Sequence, residues 1–381
     1  MIRVANILVD GRFAGPHHRV LQVAPRLRPR GIETLVVIPA SATPTLRERV
    51  AGAEVESVAV RLHHLSRARG DLVKWALLFV PESLSLARML RRRGVHIVHC
   101  NGIWHLQSIL AGRWAGRRVV LHLNDTRDAR SLRCLARRVG PLCHAVIFAS
   151  HRSRDFYRQI APALDRKPSS IVQAPVDCVR FDPDQTDPHP ALAQAPGPRL
   201  VSIGNINVDK GFDNFVEMGR ILRESGRAVT LHIVGPRIAS QERVWREVQA
   251  RASELPEGAV CFHGAVADIP AVLKAADIYV CASISEASPM SVWEAMAMRR
   301  PIVATDVGDV ARFITDGANG FVVPPGDIRA MADRVARLLD SPRMREEFGA
   351  RARQTALEQL DLPVCVASHA AFYERIHGMA S

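Results

Sequence analysis

Short apolar runs alternate with longer amphipathic stretches along the whole chain. In the first half the runs fall at 3–9, 34–38, 55–61, 95–100, 119–123 and 145–148. In the second half they fall at 200–203, 230–234, 260–262, 278–281, 302–304 and 320–323. Each is rich in Val and Ile and bounded by Gly, Pro or polar residues, the pattern of a strand buried in a parallel sheet. The stretches between them carry helical spacing and complete βαβ units, so each half predicts one doubly wound sheet. The expected fold class is α/β: two doubly wound parallel-sheet, Rossmann-like domains facing across a cleft. Strand carboxyl ends should point toward that cleft, where ligands bind in open α/β sheets.

A Pro-rich segment without hydrophobic period, "FDPDQTDPHPALAQAPGPR", begins at Phe181. It divides the chain into an N-terminal domain (1–180), a linker (181–198) and a C-terminal domain (199–365). A final helix at 366–381 has the N-terminal domain as one place to pack. At 381 residues, two domains are the default reading.

Charge is unevenly placed. Residues 1–175 hold 29 Lys and Arg against 11 Asp and Glu, whereas the remainder is slightly acidic. A basic half suits an anionic partner, but nearly all of this charge is Arg, so part of it can reflect composition alone. Aromatic interleaving and recognisable RNA motifs are lacking, so no nucleic-acid partner is expected. The seven cysteines are scattered with no CxxC pair, which favours reduced thiols over a disulfide framework or zinc site. "MIRVANILVDGRF" reads as a strand, not a secretion signal. The longest apolar run, "WALLFV" at 75–80, is too short to span a bilayer. A cytoplasmic location follows, with peripheral contact on the inner face of an anionic membrane as an addition. The segment 71–94, apolar at helical spacing and ending in Arg91-Arg92-Arg93, reads equally as a core-facing helix or a lipid-docking one.

The chemistry concentrates in "EASPMSVWEAMAMRRPIVAT", which begins at Glu286. Ser288 suits an N-cap and Pro289 the first helical position, predicting a helix over 289–299. Amides of Met290 and Ser291 at its start would attract a phosphate. Glu286 precedes the helix and Glu294 lies within it, about 7.5 Å along the axis from Pro289. Carboxylates accept hydrogen bonds from vicinal diols, so the pair brackets a phosphate between two sugar-binding groups. The bland alternative is a loop charge and a solvated helix residue.

Other loops point the same way. "LVSIGNINVDKGF" gives a strand, a turn opened by Gly204 and a point charge at Lys210 suited to a pyrophosphate. Its spacing fits neither GxGxxG nor a Walker motif. "LHIVGP" ends a strand at Gly235, and "CFHGAVADIP" carries His263 and Val266 in a turn whose backbone can bind a base. "DPD" at 182–184 imitates a metal motif but sits in the Pro-rich segment, so no metal is expected. The pairs His17-His18 and His63-His64 are adjacent in sequence, so their side chains diverge. His17 and His18 follow Gly15, a place that suits contact with an acceptor or with a phosphate.

These elements, in this order, resemble the C-terminal half of the retaining family-4 glycosyltransferases, which have the GT-B fold. The matching text is "SIGNINVDKGFDNF", "LHIVGP", "FHGAVADIPAVLKAADIYVCASISEASPMSVWEAMAMRRPIVATDVGD" and "ITDGANGFVVPPGD". "GRFAGPHHRVLQVAPRLRPRGIETLVVIP", "VHIVHCNGIWH" and "VVLHLNDT" are similar, more weakly, to the family's N-terminal half.

The resemblance implies an N-terminal acceptor-binding domain and a C-terminal nucleotide-sugar-binding domain. It implies transfer from a UDP- or GDP-sugar, with no cofactor, to a glycan or lipid-linked acceptor in surface polysaccharide or glycolipid synthesis. Glu286 would lie by the transferred sugar, Glu294 would hold the ribose hydroxyls, and Lys210 would neutralise the departing diphosphate. Gly15, Gly204, Asn205, Gly235, His263, Val266, Pro289, Met290 and Ser291 would complete the donor site. Asn101 and His122 join His17 and His18 on the acceptor side. Two departures stand out. Asn205 replaces an Arg the family often has, and Asn124, counted with Glu286 and Lys210 as catalytic, replaces a His, so Asn124 can hydrogen-bond a sugar but not donate a proton. These departures keep a second reading open, a catalytically weak nucleotide-sugar-binding subunit. A sugar-nucleotide epimerase is another enzyme class this fold accommodates.

Overall fold

A computed structural model describes residues 1–11, 13, 15–63, 69–124 and 130–379, without the side chains of residues 69–72. Readings that involve Arg12, Ala14, His64, Asp125 and Thr126 therefore lie outside the described residues. The chain divides into two compact units, Met1–Gln173 with Leu362–Ser381, and Ala174–Asp361. The Pro-rich segment at 181–198 lies inside the second unit.

The first unit is built on a seven-stranded sheet: β1 (Ile2–Ile7), β2 (Ile32–Pro39), β3 (Glu56–Val60), β4 (Ile97–Cys100), β5 (Arg118–Leu123), β6 (Ala145–Phe148) and β7 (Ser169–Ile171). Its order is β3-β2-β1-β4-β5-β6-β7, and every pairing is parallel. The β-branched residues predicted to be buried on both faces are: Val4, Ile97, Val98, Val119, Val120, Val146 and Ile147 have no exposed surface. One face packs against Leu86, Leu90, Ile109, Ala111 and Leu132. The other face packs against Val23 and Leu27 and against the last helix, Leu362–Gly378, through Leu362, Val366, Phe372, Tyr373 and Ile376.

The second unit has a six-stranded sheet: β8 (Arg199–Ile203), β9 (Thr230–Val234), β10 (Val260–Gly264), β11 (Ile278–Cys281), β12 (Ile302–Thr305) and β13 (Phe321–Val323). Its order is β10-β9-β8-β11-β12-β13, again all parallel. Trp293, Val292 and Met296 pack on one face, and Phe215, Met218, Val335 and Leu338 on the other. Within the second unit its two ends lie side by side, because Val176 N–H donates to Leu360 O at 3.0 Å.

Sheet order places the sites. In the first sheet, connections diverge on either side of the β1/β4 boundary, and in the second on either side of β8/β11. A crevice opens at the carboxyl ends of the strands at such a switch point. Helix Arg69–Arg92 answers the two readings of its segment half by half. Leu86, Ala87 and Leu90 are buried, whereas Val73, Leu77 and Val80 are exposed. Among the described residues, no helix is long and apolar enough to cross a membrane.

Candidate functional site

In the second unit the switch point is bounded by the loops that follow β8 and β11. The first loop turns at Gly204, forms a short 3-10 turn at Val208–Lys210 and enters helix Phe212–Glu224 through Gly211. Gly211 has φ +60°, and a Cβ there would lie 2.1 Å from Ala282 O, so only glycine lets this turn seat on the β11 loop. Ile284 N–H donates to Asp209 O at 2.7 Å. The two loops are thus joined through backbone.

That junction brings Lys210 Nζ to 2.5 Å from Glu286 Oε1. Ser283 Oγ–H donates to the same carboxylate oxygen at 3.1 Å, and Thr305 Oγ1–H holds Ser283 O at 2.6 Å. Lys210 is 20% exposed and Glu286 16%, so the pair is sheltered but reachable. Burial alone would lower the Lys210 ammonium, yet Glu286 and more weakly Glu294 leave it raised above its ordinary value. The lysine stays charged and aimed, with ammonium hydrogens left for a phosphate.

Helix Met290–Ala297 follows Glu286. It is shorter than predicted, and Ser288 does not cap it. The Ser288 hydroxyl accepts instead from Trp293 Nε1 and from Ala174 N, both at 3.2 Å. Pro289 occupies the cap position, and Arg299 falls past the end at φ +57°. First-turn amides of Met290 and Ser291 have no acceptor within the helix and carry the positive end of its dipole. Glu294 is partly buried in this helix. Desolvation pushes its carboxyl up to about 7 against the pull of Arg180 and then Lys210. Sequence reasoning did not single out Arg180. Its only signal was position, one residue before buried Phe181, where the chain enters the Pro-rich segment.

The remaining donor-side positions share this edge because the sheet is parallel. Gly235 follows β9 at φ +147°, where a Cβ would lie 1.9 Å from Gly204 O, so glycine is required for the two turns to touch. Asn205 is exposed beside them. His263 is the next-to-last residue of β10, but its Nε2 is within 2.9 Å of His232 Nδ1, so the ring is already partnered. Val266 is partly buried in the following turn. Asp182 and Asp184 of the metal-like triplet face arginines, Asp182 with Arg353 at 3.3 Å and Asp184 with Arg299 at 2.8 Å.

In the first unit, a pocket of about 370 Å³ opens at the β1/β4 switch point, lined by Asp10, His17, Asn101, Trp104, His105 and Asn124 among others. Gly15 is exposed and opens helix Gly15–Leu27. His17 is buried with Nε2 2.9 Å from Asp10 O, while His18 is only partly buried, so the two histidines do diverge. His122 corrects an expectation. It has no exposed surface, and its ring nitrogens face Arg19 Nη1 at 2.5 Å and His99 Nε2 at 3.2 Å, so it lies beneath the pocket and not in it. His63 bonds Glu82 at 2.6 Å and takes no part.

Sequence reasoning also passed over Arg19. The signal was available: Arg19 precedes Val23 and Leu27 by one and two helical repeats, on the face that is buried.

Residues 197–341 match the family "Glycosyl transferases group 1", and residues 14–168 match the "Glycosyl transferase 4-like domain". The two matches fall one on each unit, and the two sheets have the fold of the GT-B glycosyltransferases. It is 33% identical over 159 residues to the putative glycosyltransferase EpsD of Bacillus subtilis, covering 42% of this chain and 40% of that one. It is 28% identical over 327 residues to the lipopolysaccharide core biosynthesis mannosyltransferase LpsB of Rhizobium meliloti, covering 79% of this chain and 88% of that one. HepE of Anabaena, crystallised with UDP and glucose, superposes with a TM-score of 0.83 at 17% identity, over 98% of this chain and 100% of that one.

Proposed function

We propose that the chain is a retaining, metal-independent glycosyltransferase. It moves a sugar from a nucleoside diphosphate sugar, a UDP- or GDP-sugar, to a hydroxyl of a glycan or lipid-linked acceptor. The observation that carries this reading is the Lys210–Glu286 pair, fixed by backbone at the strand ends, with a helix start and Glu294 behind it. The names of LpsB and HepE support the donor class and an acceptor of the surface-glycan kind.

In this reaction the bond between the anomeric carbon and the β-phosphate oxygen breaks, and its electron pair stays on the diphosphate. The acceptor oxygen forms the new glycosidic bond on the same face, and its proton passes to the departing phosphate. Negative charge grows on the diphosphate as the bond lengthens. Lys210 and the amides of Met290 and Ser291 would meet that charge from a preset geometry, which favours the transition state over the ground state. Glu286 would anchor the sugar, Glu294 the ribose, and Asn124 and the first-unit pocket the hydroxyl partner.

The test is calorimetry and turnover with a panel of UDP-, GDP-, ADP- and dTDP-sugars, with chelator present, in wild type and Glu294→Ala. One donor should bind, be hydrolysed slowly without acceptor, and lose affinity in the variant. Binding without turnover in the presence of candidate acceptors would overturn the enzyme reading, and no binding would overturn the donor site.

A further inference from the structure

Arg19 is a buried cation with no carboxylate partner among the described residues, only 4% exposed. Its guanidinium donates to three neutral acceptors, Asn101 Oδ1, Asn124 Oδ1 at 3.3 Å and His122 Nε2 at 2.5 Å. Arginine has donors only, so each atom facing it must accept. This removes the usual freedom in assigning amide flips and histidine tautomers.

The consequences run outward in two directions. Toward the core, His122 accepts at Nε2, so its neutral ring carries its proton on Nδ1 and donates to His99 Nε2 at 3.2 Å. His99 then carries its own proton on Nδ1 and donates to the Tyr373 hydroxyl at 2.5 Å. Burial and the Arg19 charge hold both rings neutral. Toward the pocket, Asn101 turns its amide nitrogen inward to Asn6 Oδ1 at 3.3 Å and Ile7 O at 3.2 Å. Among the described residues Asn124 has no such inward acceptor. With Oδ1 held by Arg19, its Nδ2 is buried without a partner, and the residue lines the pocket.

We propose that Arg19 is a positioning residue: it fixes the Asn124 amide with Nδ2–H presented to the pocket, so that the sugar bound there offers a hydroxyl oxygen as hydrogen-bond acceptor. An unmet buried donor is expensive, and a sugar oxygen satisfies it. The geometry also explains how asparagine serves in this place. An asparagine alone presents either its oxygen or its nitrogen, and Arg19 removes the choice. The sugar-contact part rests on the transferase reading above, whereas the orientation part stands on this network alone.

The test has two arms. Nitrogen NMR of histidine-labelled wild-type protein should show His122 and His99 as neutral rings protonated on Nδ1, with His122 assigned by its loss in His122→Gln. Protonation of His122 on Nε2 would overturn the proposal without any variant at Arg19. In the second arm, Arg19→Met and Asn124→Ala are combined in a double-mutant cycle on turnover with the donor identified by the panel. Each single change should lower kcat/KM about tenfold. The pair should be little worse than either alone, and Arg19→Lys should recover part of the loss. Additive losses would show that Arg19 acts only through stability and would sink its positioning role. If no donor is turned over, the transferase reading fails, and the tautomer measurement still decides whether Arg19 sets the network.

Discussion

Lys210 Nζ and Glu286 Oε1 stand 2.5 Å apart across two loops joined by the Ile284–Asp209 backbone bond. Protein contacts alone hold the pair, which gives its charge a preset place. Lys210→Met should therefore lower kcat by about 10²–10³, the range seen when one preset electrostatic donor is removed. Donor Kd should change much less. Single-turnover kinetics separates the two, and a loss confined to Kd would show that Lys210 only binds.

Gly204 lies under the lysine stem. A Cβ there would come within 2.7 Å of Lys210 Cε and 2.9 Å of Cδ. The far end of a flexible side chain can move aside, so Gly204→Ala should fold normally with Lys210 displaced from Glu286. We expect at least a tenfold loss of turnover with Tm within a few degrees of wild type. Gly235→Ala is the contrasting control. There the added atom meets backbone, Gly204 O at 1.9 Å, and folding itself should suffer.

Glu294 makes donor binding pH-dependent. Its carboxyl titrates near 7, raised by desolvation, and ribose hydroxyls donate best to the ionised form. Affinity should improve as pH rises from 6 to 8, and Glu294→Gln should flatten the profile. Arg180 is the larger of the two cations holding this value down, so Arg180→Ala should move the midpoint upward. The same shift has a stability side. Above 7 the folded state holds a poorly solvated carboxylate, so Glu294→Gln should gain about 1–2 kcal/mol at pH 8, allowing for partial exposure, and little at pH 5. Calorimetric Kd and Tm against pH check both.

The first unit should be sensitive to acid. Burial lowers His99 and His122 well below 6.5, His105 to about 4 and His369 to about 3. Folded, these rings stay neutral, whereas the unfolded chain protonates them near 6.5. Stability is therefore full above that value and is lost as pH falls through it. Each ring contributes up to about 1.4 kcal/mol per pH unit in that window. Denaturation monitored at Trp104 and Trp114 should show the midpoint falling steeply between pH 6.5 and 4.5. A flat response would mean that the histidine cluster is solvated.

Most of the fold was legible because parallel strands are written in β-branched runs. Of the strands, β7 was missed. Ser169–Ile171 is short, polar and only partly buried at the sheet edge, so it carries no apolar signature. Lys210, Glu286 and Glu294 were readable because loop chemistry follows strand ends directly. Ser288 misled because capping potential is local, whereas its actual partners are an indole five residues on and an amide 114 positions away. Arg19 was hidden for a similar reason. An arginine on a helix reads as solvent-facing, and the two amides and the imidazole that accept from it come from the ends of two strands, β4 and β5.

The last helix belongs to the first sheet, not to the unit that precedes it in the chain. The second unit is thus an insertion within the first. During synthesis, Ala174–Asp361 is complete and able to close its core while one face of the first sheet is covered only by helix Gly15–Leu27. That face, with Val4, Ile97, Val120 and Ile147, waits on the ribosome for residues from Leu362 onward. Removing that helix should leave the neighbouring unit intact and instead expose this face of the first sheet to chaperones and proteases.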